Sequence, residues 1–265
     1  MSSRATSRNL ADLAAHDVET RLNENSILLQ PVGAVEAHGP HLPLATDLIV
    51  AAAAVEAATA RFGDELDLWA LPPLAYTKSN EHAWAPGTIW LTAQTLLAVL
   101  HDIGRSLRTT PARTIVFVNG HGGNSALLQV ALRDLRLEFG FRTFLVHPWG
   151  GAADSELGMG IHAGHDETSI VMHLRPDLVD LTKARRHVPE QIAANKHVKW
   201  GGSVAFGWLS SDFEDAPPAG TLPLGVIGDP TSATAAHGAA AWERIITTIG
   251  AELEEIRSFR TIWKP

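Results

Sequence analysis

The sequence predicts an α/β fold with a mainly parallel sheet, and two observations carry that expectation. Short apolar runs alternate with amphipathic stretches of about 12 to 16 residues, the pattern of repeated βαβ units. Polar, His-containing clusters follow the apolar runs, where ligands of parallel sheets sit beyond the carboxyl ends of the strands. The chain has 265 residues, a length that fits one large α/β domain spanning 1–265.

The elements follow in order. Residues 26–32 (SILLQPV) read as a buried strand, and a loop to Asp47 leads into an Ala-rich helix over about 48–61. Residues 66–71 (LDLWAL) read as a second strand, and 87–91 as a strand-like piece before a helix over 92–107 whose apolar residues recur at helical spacing. TIVFV at 114–118 is the clearest buried strand, with a helix over 124–139 and a strand over 141–146 after it. There is no internal repeat or low-complexity tract, and no Pro/Ser-rich linker before residues 212–224.

Composition narrows the function. The chain has no cysteine, which removes thiol nucleophiles, Cys-ligated zinc and disulfide scaffolds together. Any metal must then be held by nitrogen and oxygen. The formal charge is −8 without a basic run, which argues against nucleic acid as a partner. Residues 1–17 are polar and contain no signal-type apolar core. The most apolar stretch, 48–58, is interrupted by Glu56 and falls short of the roughly 20 residues that span a bilayer. The expectation is a soluble, cytoplasmic protein without a membrane partner. Thirteen His stand against one Tyr, a bias toward ligands or proton carriers.

Three clusters carry the chemistry. In GAVEAHGPHLPLATD (33–47), Glu36 and His38 project to one side if the chain is extended there, giving half of an ion site. Asp47 stands where the next helix begins, and N-capping by Thr46 or Asp47 is the competing structural reading. In NGHGGN (119–124), glycines around His121 permit close backbone approach, so His121 reads as a ligand or an acid/base. The loop lacks the Lys-Ser/Thr ending of a phosphate-binding P-loop. In HAGHDETS (162–169), Asp166, Glu167, Thr168 and Ser169 suit the first turn of a helix, while two His and two carboxylates so close together also suit a site. His173, further along that stretch, reads as structural. The loop 80–88 reads as a pocket wall, Trp149 and Trp208 as pocket or packing residues, and GDPTSA (228–233) as a turn into a last helix.

Taken together and in this order, GAVEAHGPHLPLATD, VNGHGGN and HAGHDETS resemble the creatininase family, over most of the chain from about residue 27 to the helix after GDPTSAT. The resemblance implies a three-layer αβα fold with a central, mostly parallel sheet, a homo-hexamer, and a centre of one or two metal ions. It makes Glu36, His38, Asp47 and His121 metal ligands, with Asp47 bridging. It makes His162 the catalytic residue that moves protons to the scissile amide, and Glu167 the Glu of an ETS element. Creatininase carries a Glu two residues after the ligand His; here that position is Gly123. A second ion would then need Glu167 or His165 as its ligand, or only one ion binds. The NGHGGN form resembles a branch that includes a peptidase of ribosomal-peptide cofactor maturation and a formamide hydrolase, and HAGHDETS and GDPTSATAA resemble the peptidase most.

The expected function is a metal-dependent amidohydrolase that cleaves the C–N bond of a small cyclic amide, a formamide or a short peptide with a metal-activated water. Nitrogen and oxygen ligands suit Zn, Mn or Fe without choosing among them. His162 would donate a proton to the leaving nitrogen, and Asp166 or Glu167 would orient His165. The competing readings are a non-catalytic, metal-dependent small-molecule binding protein and, within the enzymes, the peptidase.

Overall fold

Every residue of strands β1 (Ile27–Val32) and β3 (Thr114–Asn119) is buried, as expected of parallel strands covered on both faces. The computed structural model describes residues 7–150, 153–199, 203–204, 207–213 and 218–260. The expectations for 1–6 and 214–217 lie outside these residues. Among the described residues the sheet adds β2 (Leu68–Ala70) and β4 (Arg142–Val146), in the order β2-β1-β3-β4 with all pairs parallel.

Side-chain alternation along the strands builds two cores. Ile27 and Leu29 of β1 and Val116 and Val118 of β3 face one side, while Leu28, Val32, Ile115 and Phe117 face the other. The first face is covered by helices α2 (Thr46–Leu66), α5 (His165–Leu174) and α7 (Ala235–Ser258). The second is covered by α3 (Ala93–Leu107) and α4 (Ser125–Phe139), with α1 (Ala15–Arg21) adding Val18 at the edge. The one-turn α6 (Glu190–Ala193) lies near a small third cluster around Val188 and Ile227. This is the three-layer αβα arrangement expected from the sequence. No helix among the described residues is long and apolar enough to cross a membrane.

The structure differs from the sequence reading in three elements. Helix α2 begins at Thr46 and runs to Leu66, because nothing before the left-handed Asp67 (φ 53°) interrupts it. For the same reason β2 shrinks to Leu68–Ala70, since Leu66 is still helical. Residues 87–91 form no strand. Pro86 and Gly87 (φ 89°) turn the chain, and only single bridges, Val35 to Ile89 and Thr77 to Trp90, tie it down.

The strand order fixes the site. From β1 the chain crosses to β2 on one side and then returns to β3 on the other, so the topological switch point lies at the carboxyl ends of β1 and β3. The start of α2 is pressed against that point. A Cβ on Gly33 would stand 2.4 Å from Leu48 Cα, and one on Gly120 would stand 2.4 Å from the Asp47 carbonyl oxygen. Gly120→Ala should therefore push the first turn of α2 outward and cost about 1–3 kcal/mol by overpacking. Chemical denaturation checks this: a midpoint equal to wild type would show that the contact yields without cost.

Candidate metal centre

Three segments converge at the switch point. After β1 the chain is held extended by Glu36 N–H donating to the Leu44 carbonyl and Ile89 N–H donating to the Val35 carbonyl, both at 2.9 Å. This sets Glu36 and His38 on one side, with His38 Nε2 3.9 Å from Glu36 Oε1. Gly39 (φ 67°) then turns the chain toward α2. The N-cap of α2 is Ala45, so Asp47 does not cap the helix. Its carboxylate instead divides between two imidazoles, Oδ1 at 3.1 Å from His38 Nε2 and Oδ2 at 3.1 Å from His121 Nδ1. His121 is fixed by Asn119, whose amide donates to the His121 carbonyl at 2.8 Å and accepts from the His121 N–H at 3.2 Å. Asn124 Nδ2 reaches the Gly33 carbonyl at 3.2 Å, which ties the β1 and β3 loops together.

The third segment brings His162 and Glu167. His162 pairs with Ile227 in a short antiparallel bridge, and Glu167 sits in the first turn of α5, accepting from the Ala163 N–H. The buried Glu156 carboxylate supports this region by accepting from His165 N–H at 2.8 Å and Asp229 N–H at 2.9 Å. His162 Nε2 lies 2.7 Å from the Ala37 carbonyl. A carbonyl only accepts, so Nε2 carries the ring proton and Nδ1 is left bare, 3.8 Å from Glu36 Oε1.

The donor atoms fall into overlapping sets. Glu36, Asp47 and His121 place one ligand atom each within 4.8 Å of one another, as do His38, Asp47 and Glu167, and Glu36, His38 and His162. Asp47 belongs to the first two sets, the position of a bridging carboxylate. Glu36 is 0% and Asp47 2% exposed, yet Glu36 Oε1 and Asp47 Oδ2 accept no well-aligned hydrogen bond, their near neighbours being the imidazole nitrogens His82 Nε2 at 3.3 Å and His121 Nδ1 at 3.1 Å. Buried carboxylate oxygens without donors are costly unless a cation meets them. The oxygen and imidazole donors therefore fit one or two divalent ions.

Protonation follows the same geometry. Burial opposes the charge on His38, but Asp47, with Glu167 and Glu36 behind it, raises the imidazole to about 10. His121 is also raised despite burial, by Glu36, Asp47 and Glu81. Burial pushes His162 well below its usual range, and the nearby His38 and His82 add to the effect. Burial likewise lifts Glu167 to about 7, against the pull of His38.

The structure brings together Glu36, His38, Asp47, His121, His162 and Glu167. It places His165 elsewhere: its ring turns to Asp166 Oδ1 at 3.4 Å, and His237 Nε2 meets the same oxygen at 2.8 Å. His165 therefore does not fill the gap left at Gly123, and Glu167 does not orient it. The sequence reading missed Ser79, Glu81 and His82. Ser79 Oγ donates to Glu36 Oε2, His82 Nε2 lies 3.3 Å from Glu36 Oε1, and Glu81 Oε1 lies 3.2 Å from His121 Nε2. The polar run Ser-Asn-Glu-His at 79–82 was the available signal, read only as a pocket wall. Glu81 and His82 border a cavity of about 210 Å³ walled by Ile161, Trp149 and Trp208. Trp149 is fixed by its Nε1–H donating to the Gly120 carbonyl at 2.7 Å.

Comparison with known proteins finds similarity over most of the chain. The family model for Creatininase, described as creatinine amidohydrolase, matches residues 11–253. The chain is 37% identical over 216 residues to the mycofactocin precursor peptide peptidase of Mycobacterium ulcerans (strain Agy99), covering 80% of this chain and 78% of that one. It is 33% identical over 185 residues to the creatinine amidohydrolase of Pseudomonas putida, covering 62% of this chain and 70% of that one. A manganese creatininase structure superposes with a TM-score of 0.72 at 26% identity, covering 94% of this chain and 98% of that one.

The cation-free site makes a testable statement about pH. His38 is raised in the folded protein from an unfolded value near ~6.5, so its contact with Asp47 contributes stability that is full below that value. The contribution is lost as pH rises through about 10. Chelator-treated wild type should lose thermal midpoint between pH 7 and 10 relative to His38→Gln under the same conditions. Parallel pH curves for the two proteins would contradict the assignment.

Proposed function

The chain belongs to the creatininase family, and we propose that it is a metal-dependent amidohydrolase that cleaves the C–N bond of a small amide or short peptide at the Glu36–His38–Asp47–His121 centre. The observation that carries this reading is the pair of buried carboxylate oxygens, Glu36 Oε1 and Asp47 Oδ2, that face imidazole nitrogens at 3.1–3.3 Å without a well-aligned hydrogen bond at the edge of a cavity. Glu36, Asp47 and His121 would hold one ion. His38, Asp47 and Glu167 would hold a second, with Glu167 supplying a carboxylate that position 123 does not. The relatives with metals named are a manganese creatininase and a mutant creatininase of Zn-Zn type.

A divalent ion bound here supplies Lewis acidity toward the amide carbonyl and lowers the pKa of a water from about 15.7 toward about 7. The protein supplies the rest. Ser79 and the sheet ends hold Glu36 in place, and Asn119 holds His121. His162 is the proton carrier. Its neutral ring keeps the Nε2 proton on Ala37, so Nδ1 is the atom that takes up a proton on the cavity side and passes it to the leaving nitrogen. Trp149 and Trp208 bound the space in which the substrate's flanking group sits.

Within this chemistry a peptide substrate is the favoured reading, because the likeness to a peptide peptidase is higher and extends over more of the chain than the likeness to a creatinine amidohydrolase. A panel of short peptides, formamides and cyclic amides, run with and without chelator, tests it. Turnover of cyclic amides alone would reverse the preference, and turnover unaffected by chelator would remove the metal from the mechanism.

Four substitutions separate the roles. His38→Ala and Asp47→Ala should each lose bound metal and activity while the chain stays folded, because the sheet supplies the core; unchanged metal content in both would remove the centre as assigned. Glu167→Gln should lower the metal-to-protein ratio from two to one, since a neutral amide lacks the charge that holds a divalent cation. An equal ratio would leave Glu167 as the partner of the Ala163 N–H only. His162→Asn should lower kcat by roughly 10²–10⁴ with metal near wild type. If metal falls in step with activity, His162 is a ligand, a role that its place beside Glu36 and His38 allows.

A further inference from the structure

We propose that Glu81 is a further ligand of this centre, delivered from the loop after β2, and that Gly123 is the position that admits it. The inference rests on the metal-dependent reading above. Glu81 lies in the 3₁₀ turn Asn80–His82 and is 4% exposed. Its Oε1 is 3.2 Å from His121 Nε2, a nitrogen that also lies 3.3 Å from Glu36 Oε2 and 2.9 Å from the Lys78 carbonyl, so an ion shared with Glu81 there would take the place of the proton that Nε2 holds on that carbonyl. Donor separations slightly above 3 Å suit atoms that share an ion at about 2.0–2.2 Å from each. The other oxygen, Oε2, is held by Lys78 Nζ at 2.7 Å, which fixes the carboxylate's orientation. The turn itself is pinned, because Ser210 Oγ donates to the Glu81 carbonyl at 3.0 Å and Trp84 Nε1–H donates to Ser210 Oγ at 2.7 Å.

Gly123 supplies the second, independent observation. A Cβ at this position would stand 1.9 Å from Glu81 Oε1 and 2.5 Å from His121 Nε2. A side chain at 123 and the Glu81 carboxylate therefore exclude each other. Gly123 is not among the positive-φ residues, so its backbone does not require glycine; the space does. The neighbouring Gly122 has nothing within 4 Å of the corresponding point, which confines the restriction to position 123. The carboxylate that residue 123 cannot carry is thus brought to the same edge of His121 by residue 81. With Lys78 on its other oxygen, the Glu81 carboxylate leaves Oε1 to meet a cation at His121.

The test is chelator competition on the purified protein with Zn²⁺, together with the visible spectrum of the Co²⁺-substituted protein. Glu81→Gln keeps the shape and removes the charge; it should lower metal affinity at least ~10-fold and change the Co²⁺ d–d bands. Lys78→Met tests the alternative that Glu81 is only an ion-pair partner, and should leave the Co²⁺ bands as in wild type. Gly123→Ala should weaken metal binding in the wild-type background and have a smaller effect when Glu81 is already Ala, since both remove the same contact. If Glu81→Gln binds Zn²⁺ as wild type does while His38→Ala does not, the metal centre stands and the role of Glu81 falls. If wild type binds no metal, the underlying reading falls instead. If Glu81→Gln does not fold, Glu81→Asp, which keeps the charge and withdraws the oxygens, takes its place with the same expected loss of affinity.

Discussion

The structure is organised around the burial of several carboxylates at one point. Glu36, Asp47, Glu81 and Glu167 converge within a region of His side chains where water has little access. Such a group is tolerable only if positive charge is gathered with it, as protons on imidazoles or as a cation. Asp47 is the residue on which the arrangement turns. Its two oxygens face two different histidines that follow two different strands, and it is common to the Glu36–Asp47–His121 and His38–Asp47–Glu167 sets. Its place in the first turn of α2 adds the positive end of the helix as partial compensation.

The sheet makes this convergence possible. Because β1 and β3 are adjacent and parallel while their connections leave on opposite sides, their carboxyl ends open onto a common crevice. Glu36 and His38 leave β1 into it and His121 leaves β3 into it. Gly33 and Gly120 then allow α2 to approach closely enough for Asp47 to reach both. A strand order without the switch would place these segments at distant edges of the sheet, with the same residues and no site. The convergence of these donors is therefore a consequence of topology as much as of residue type.

How much of this was legible in the sequence follows from range. Glu36 with His38, and His121 within its glycines, are local patterns, visible because strand alternation and loop chemistry act over two to six residues. Asp47 was locally ambiguous between cap and ligand, and only the position of Ala45 as the N-cap resolves it. Glu81 and His82 left only a short polar run as a local mark, because what they face is the space at Gly123 and the opposing Glu36, far away along the chain. His165 misled for the converse reason. It is close in sequence to Glu167, but helix geometry sends consecutive residues to different faces, and α7 presents His237 to the Asp166 side. The piece at 87–91 has strand-like composition, yet no neighbouring strand presents a ladder to it.

The four buried histidines that line the site, His38, His82, His121 and His162, divide into two kinds, and the division bears on their work. His38 and His121 each face carboxylates directly and hold positive charge readily when no cation is present. His82 and His162 stack on one another with ring centroids 4.3 Å apart, and each is pushed toward the neutral form by burial and by the charged histidines beside it. The first kind is suited to exchanging its protons for an ion, because a cation does for the carboxylates what the two protons do. The second kind is suited to carrying a proton briefly, because a neutral imidazole next to a cationic centre returns its proton easily. Of that second pair, His162 has its Nε2 committed to the Ala37 carbonyl and so offers a single, defined nitrogen to the cavity. The same environment that keeps its ring neutral also favours prompt release of the proton to a leaving amine, which is the property a proton carrier at an amide bond needs.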